Sequence, residues 1–205
     1  GLLELYETTL EPKYLKIALD LNQDLVEHFW DNEQGGFFFT ANDSEELLVR
    51  QKEIYDGATP SGNSIAAMNL IKLSRITGSI ELNSLALNLG KAFSTIVKQF
   101  PSAYTQFLLF VDFLIGPSFE VVVVGPKGSA ETQNILNCLN ASYTPNKVVV
   151  FKPCENEDSE IISMAPYTKN FGLVKQRPTA YVCGNYTCQS PTNDPEIMLS
   201  YLKIN

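Results

Sequence analysis

The chain has 205 residues, enough to bury a full core in one domain or two small ones. A hydrophobic content of 44% and a charged content of 19% describe an ordinary globular chain. The formal net charge of -8 argues against nucleic acid or an anionic membrane as partner, since both attract a basic face.

In chain order, Leu2 to Thr9 reads as the end of a helix, and Pro12 starts the next one. Tyr14, Ala18, Leu21, Leu25 and Phe29 fall on one helical stripe, which ends at Phe29-Trp30-Asp31. A glycine pair, Gly35-Gly36, then feeds a short aromatic strand, Phe37-Phe38-Phe39. Asn42-Asp43-Ser44 opens a polar helical turn with Glu45 and Glu46. The stretch from Glu53 to Ser64 concentrates unusual residues: two carboxylates, a turn at Gly57, then Thr59-Pro60 with Ser61, Gly62, Asn63 and Ser64 behind them. Thr59 is the expected N-cap and Pro60 the first helical residue, where a missing N–H costs nothing. Ile65 to Leu73 is apolar nearly all round, which predicts a buried helix ending at Thr77-Gly78.

Ser79 can cap the following helix, whose stripe runs from Leu82 through Leu89 and Val97 to Phe100 before Pro101. Tyr104 to Ile115 reads as a second buried helix. Its run Phe107–Ile115 is interrupted by Asp112 and too short to span a bilayer; Asp112 is expected at a helix end or in a pocket. The character changes at Gly116-Pro117. Phe119 to Val124, a helix from Ser129 to Ala141, and Lys147 to Phe151 predict a β-α-β unit with a parallel pair. After the acidic loop Pro153 to Asp158 come a third strand, Thr179 to Cys183, a two-residue hairpin at Gly184-Asn185 leading to Cys188, and a last helix opened by Asp194-Pro195.

With Gly184-Asn185 as the turn, Cys188 faces Tyr181 and lies diagonal to Cys183, about 7–8 Å away and at or beyond disulfide reach. A chain of this size does not need staples, so Cys138, Cys154, Cys183 and Cys188 are expected as reduced thiols. No export leader is visible, the compartment expected is the cytoplasm, and the sequons at Asn42, Asn140 and Asn185 read as chance. The first residue is Gly1 and not Met, which reads as a piece of something longer.

Three blocks, Trp30-Asp31 with Gly35-Gly36-Phe37-Phe38, Lys52 to Ser64, and Thr179 to Pro191, carry a family resemblance over essentially the whole chain. Together they resemble the C-terminal part of the spermatogenesis-associated, thioredoxin-domain-containing protein family. That resemblance implies an N-terminal thioredoxin-like domain followed by an (α/α) toroid of the six-hairpin glycosidase type, similar to the N-acylglucosamine epimerases. The thioredoxin-like part and the early toroid helices are absent, and the chain has no Cys-x-x-Cys. Gln51 stands where the family pattern leads one to expect proline. The expected fold is therefore mainly α with an α/β appendage: helical hairpins of a partial toroid over 1–116 and a small α/β region over 117–205.

Glu53 and Asp56 are the candidate catalytic pair, because glycoside hydrolysis needs an acid and a base or nucleophile. The alternative is that Asp56 organises the turn while Glu53 pairs with Arg50 or Lys52. Trp30, Asp31, Phe37, Ser61, Asn63 and Ser64 are the candidate ligand-binding residues, with aromatic rings for sugar faces and an amide for hydroxyls. The competing reading is close helix packing through small residues and aromatics that cover a hairpin end. His28 is the only histidine, so a two-histidine epimerase site within these residues is excluded. Gly125-Pro-Lys-Gly128 has neither phosphate-loop spacing. No metal site or cofactor is expected. The first functional expectation is a carbohydrate-active or carbohydrate-binding protein, glycosidase- or epimerase-like when whole, with this piece inactive alone. The second is a non-catalytic interaction module for a thioredoxin-like domain. Uncovered helix faces predict that the chain dimerises.

Overall fold

The structure, a computed structural model, describes residues 1–45, 47–155, 159–184 and 187–203. Glu46, Asp158 and the turn residue Asn185 lie outside the described residues. The architecture is mainly helical with an α/β appendage, eight α-helices and one four-stranded mixed sheet among the described residues. Two compact units are present: one comprises 17–74 and 79–116, the other 1–16, 75–78 and 117–205.

The helical unit holds most of α2 (Pro12–Phe29) and α3 (Gly62–Thr77), with α4 (Ile80–Gln99) and α5 (Thr105–Ile115). Ser79 caps α4 as expected, its hydroxyl accepting from the Leu82 N–H at 3.2 Å. Gly78 holds the left-handed position after α3, with φ of +76°. Two expected faces are corrected. The buried stripe of α2 contains Leu15, Ala18 and Asn22, and Leu21 is 55% exposed. The buried face of α5 is Phe107, Phe110 and Phe113, at i, i+3 and i+6, while Leu109 and Asp112 lie on its exposed side. An all-apolar run carries no periodicity to say which face turns inward. Asp112 avoids the cost of burial by facing out.

In the second unit Leu2–Thr9 is helical, α1, with Leu3 and Tyr6 buried one turn apart. The sheet has the order β2-β1-β3-β4. Strands β1 (Phe119–Gly125) and β2 (Lys147–Pro153) are parallel, joined through α6 (Ala130–Ala141), and Val121 pairs with Val149. The β-α-β unit is therefore present as the valine runs predict. Val121, Val122, Val123 and Val124 are all buried, so β1 is covered on both faces. Val121, Val123, Val149, Ala180 and Val182 share one core with Leu139 of α6 and Met198 of α8 (Pro195–Tyr201).

The C-terminal hairpin differs from expectation by one residue. β3 (Thr179–Gly184) pairs antiparallel with β1 and with β4 (Thr187–Cys188), and Cys183 stands directly opposite Cys188. Gly184 is not a turn residue. It pairs with Phe119 of β1, and a Cβ there would meet the Phe119 ring at 3.1 Å. The glycine permits close approach to β1 and is kept in the strand, where it pairs with Thr187 as well as with Phe119. Cys183 and Cys188 are consequently disulfide-bonded, with Cα atoms 3.9 Å apart, and only Cys138 and Cys154 are free thiols.

Lys152, at the end of β2, is buried. Its ammonium donates to the carbonyls of Thr168, Lys169 and Phe171 at 3.0, 2.9 and 2.7 Å, which closes the short 3-10 turn Pro166–Asn170 against the sheet. Replacing it by methionine keeps the stem and strands the carbonyls. Lys152→Met is expected to cost about 2–3 kcal/mol in a denaturant melt, whereas Lys152→Arg retains part of that energy; an unchanged midpoint for the methionine variant would show that the carbonyls find water instead.

Candidate functional site

The stretch 53–64 begins with extended backbone and ends in α3, and its side chains reach three other segments. Asp56 is buried, and each of its carboxylate oxygens accepts a backbone N–H. Oδ1 accepts from Ser61 at 2.9 Å, at the start of α3, and Oδ2 from Phe107 at 3.0 Å, in the first turn of α5. The Asp56 N–H itself donates to the Ala103 carbonyl at 3.0 Å. α5 has no side-chain cap from its own N-cap residue, Tyr104, so Asp56 supplies one from 51 residues away in the chain.

Ser61, not Thr59, caps α3. Its hydroxyl accepts from the Ser64 N–H at 3.1 Å and donates to the Ser64 hydroxyl at 2.9 Å, while Thr59 and Pro60 are exposed ahead of the helix. Both residue types cap well; the bond from the Ser61 N–H to Asp56 fixes which one does. Asn63 uses its whole amide. Oδ1 accepts from the Phe37 N–H at 2.7 Å, and Nδ2 donates to the carbonyls of Phe37 and Glu53 at 2.9 and 2.8 Å. It acts as an extra strand residue for Phe37, whose other side forms an antiparallel bridge with Trp30.

Phe37 is 4% exposed, and Trp30 packs edge-on against it at 5.0 Å between ring centroids. Gly35 and Gly36, with φ of +75° and +81°, make the turn that brings them together, and a Cβ on Gly36 would meet Phe93 at 2.9 Å. Asp31 holds that turn: its Oδ1 accepts from the N–H groups of Glu33 and Gln34 at 2.8 and 3.1 Å, and Oδ2 pairs with the Lys52 ammonium at 2.5 Å. Lys52 also donates to the Gly35 carbonyl at 2.7 Å. The hydrogen bond from Lys52, more than the turn amides, holds the Asp31 carboxyl below its ordinary range despite its desolvation.

The candidate residues are thus brought together, with the exception of the Glu53 side chain, which is exposed; only its carbonyl joins the network. Sequence reasoning named Arg50 only as a partner for Glu53 and Phe38 only beside Trp30 and Phe37 as an aromatic surface, and it did not single out Phe107. Arg50 stacks over Phe38 at 4.1 Å and donates to the Thr40 carbonyl. The signal available was a cationic Arg50 and Lys52 spaced by two, facing a Gly-Gly-Phe-Phe turn. At Gly125-Pro-Lys-Gly128, which lacks phosphate-loop spacing, the Lys127 N–H donates to Glu155 at 2.8 Å and the Lys127 ammonium pairs with Glu11 at 3.1 Å, so carboxylates occupy the groups an anion would need. Among the described residues there is no cluster of His, Cys, Asp and Glu able to hold a metal ion, and no helix long and apolar enough to cross a membrane.

No family model matches the chain. Spermatogenesis-associated protein 20 of Rattus norvegicus and of Homo sapiens are each 32% identical to it over 197 residues, covering 95% of this chain. The chain is a homologue of the spermatogenesis-associated protein 20 family. An uncharacterized protein of Caenorhabditis elegans, B0495.5, is 29% identical over 194 residues. The chain spans about a quarter of the length of these curated relatives, 25% in each case. The family resemblance seen in the three sequence blocks is therefore correct, and relatives of this family are much longer than this chain.

Asp56→Asn leaves one of two buried N–H groups without an acceptor and is expected to cost about 1–3 kcal/mol; Asn63→Ala strands three backbone groups and should exceed about 2 kcal/mol. Ser61→Ala should cost about 1 kcal/mol and Thr59→Val almost nothing, in denaturant melts. The Asp31–Lys52 pair has a pH signature. A carboxyl with a lowered folded pKa adds stability that is present above its ordinary value of 3.8 and is lost as pH falls through the folded value. Asp31→Asn should therefore cost about 1 kcal/mol at neutral pH, and the gap to the parent chain should close as pH drops below about 4. A gap that stays constant through that range would remove the charge from the explanation.

Proposed function

We propose that this chain is a non-catalytic module that docks the remainder of a longer protein of its family, with the 53–64 stretch serving as its structural hub. The observation that carries the reading is an apolar groove of about 410 Å³ between α4 and α5. Leu87, Val97, Leu108, Val111 and Leu114 line it, and Phe107 and Phe110 form part of its wall. Leu109 and Ile115, also on α5, are 56% and 77% exposed. A pair of helices this apolar on its outer side fits a further helix better than it fits water. The length of the relatives supplies a source for that helix within the same polypeptide, and a thioredoxin-like domain of such a protein is the partner the family resemblance suggests. The internal engagement of Asp56 and Asn63 supports a structural role for both, since each oxygen of Asp56 already accepts a backbone N–H at a helix start.

A carbohydrate ligand, with glycosidase-like chemistry in the whole protein and Glu53 and Asp56 as its acids, is the second reading. What favours it is that Glu53 is exposed and that Tyr55, two residues on, is 60% exposed.

The two readings separate by experiment. The chain alone is expected to bind a dye that reports apolar surface, or to form dimers that cover the groove, and Leu108→Asp with Leu114→Asp should abolish either behaviour while leaving the melt cooperative. The full-length protein should bind no dye at this site. Absence of both dye binding and dimers in the isolated chain would defeat the docking role. Thermal stabilisation of the full-length protein by one sugar or glycoside, lost in Glu53→Gln, would favour the carbohydrate reading in its place.

A further inference from the structure

The disulfide between Cys183 and Cys188 sits where a staple has little to hold. It joins directly opposed residues of a hairpin and closes a ring with a sequence separation of only five. The constraint a disulfide places on the unfolded chain shrinks with the ring it closes. The same hairpin is already fastened beyond the bond. The Gln189 N–H donates to the Val182 carbonyl at 2.9 Å, and Ala180 and Thr192 exchange two backbone bonds at 2.8 and 3.0 Å. On its other side β3 is paired with β1 from Thr179 to Gly184. Opening the disulfide would leave all of those bonds in place. The two cysteines also differ in exposure: Cys188 is an exposed residue of the edge strand β4, while Cys183 is half-buried in β3. A fastening bond is normally inside the structure it fastens, and this one is at the rim.

We infer that Cys183–Cys188 is a reversible thiol–disulfide exchange site, which takes a dithiol as its reductant and operates without unfolding the sheet. A thiolate of the dithiol attacks Sγ of Cys188, the more exposed residue of the pair. The Cys183–Cys188 bond breaks, Cys183 leaves as thiolate, and a mixed disulfide forms at Cys188. The second thiol of the reductant then attacks its own sulfur in that mixed disulfide and releases Cys188. Two electrons and two protons pass to the cysteine pair, and the reductant ends as its own disulfide. The freed segment is β4, Thr187 and Cys188; β3 stays in the sheet through its pairing with β1 and the backbone bonds at Ala180 and Val182.

The test uses the unmodified chain under native conditions, with dithiothreitol as dithiol and differential alkylation read by peptide mass spectrometry to locate each thiol. Thiols should appear at Cys183 and Cys188 together, at a rate that rises in proportion to dithiothreitol concentration. The reduced protein should keep amide protection in β1 and β2, and oxidised glutathione should restore the bond. With the monothiol glutathione as reductant, which cannot resolve a mixed disulfide on its own, the adduct should be found on Cys188 and not on Cys183. A rate that stops rising and settles at the rate of global unfolding would overturn the inference, as would loss of protection throughout the sheet on reduction. Recovery of Cys183 and Cys188 as thiols that oxidised glutathione does not join would overturn it too.

Discussion

A single carboxylate sets the geometry of the helical unit. Asp56 sits between the starts of α3 and α5 and gives one oxygen to each, so two helix ends that would otherwise present unpaired N–H groups to a buried space share one acceptor side chain. The positive ends of two helix dipoles then face the same negative group, which favours their convergence. Asn63 extends the arrangement by clamping Phe37, and Phe37 in turn seats Trp30 and the glycine turn. From this point outward, α2, the turn after it, α3 and α5 hold positions that none of them specifies alone. Because the bonds are shared, loosening one helix start removes an acceptor from the other, so α3 and α5 should open as one unit.

Local signals made most elements readable. The valine runs around α6 announce a parallel pair, and Ser79 followed by an amphipathic stripe announces α4. What the sequence did not carry is a long-range pairing between a side chain and a backbone group. The N–H of Phe107 is like any other N–H, and nothing in its side chain marks it as the partner of Asp56. Faces were harder than spans. Leu21 and Asn22 differ by 100° around α2, and the choice to bury the amide rather than the leucine follows from packing that periodicity does not see. The second unit shows the same limit, since it unites 1–16 and 75–78 with 117–205, segments that lie apart in the chain and share no local mark.

The candidate site was legible as a place more than as a chemistry. Its residues were picked for polarity beside a buried helix, and the structure gathers most of them. Yet polar groups near a helix start serve a ligand or the helix, and residue type does not distinguish the two. The count of satisfied atoms does, and here the amide of Asn63 and the carboxylates of Asp31 and Asp56 are each occupied by the protein itself.

Gly184 shows how far a missing side chain can reach. Its close approach to Phe119 keeps it in β3, and that choice decides whether Cys183 faces Cys188 or lies diagonal to it. The oxidation chemistry of the pair is therefore written partly in a strand that contains no cysteine. A substitution at Phe119 or Gly184 that altered the fit between β1 and β3 would shift the register and separate the sulfurs without touching either one. Sheet packing and thiol chemistry would then be inherited together, and cysteine spacing by itself would be a poor guide to which relatives keep the bond.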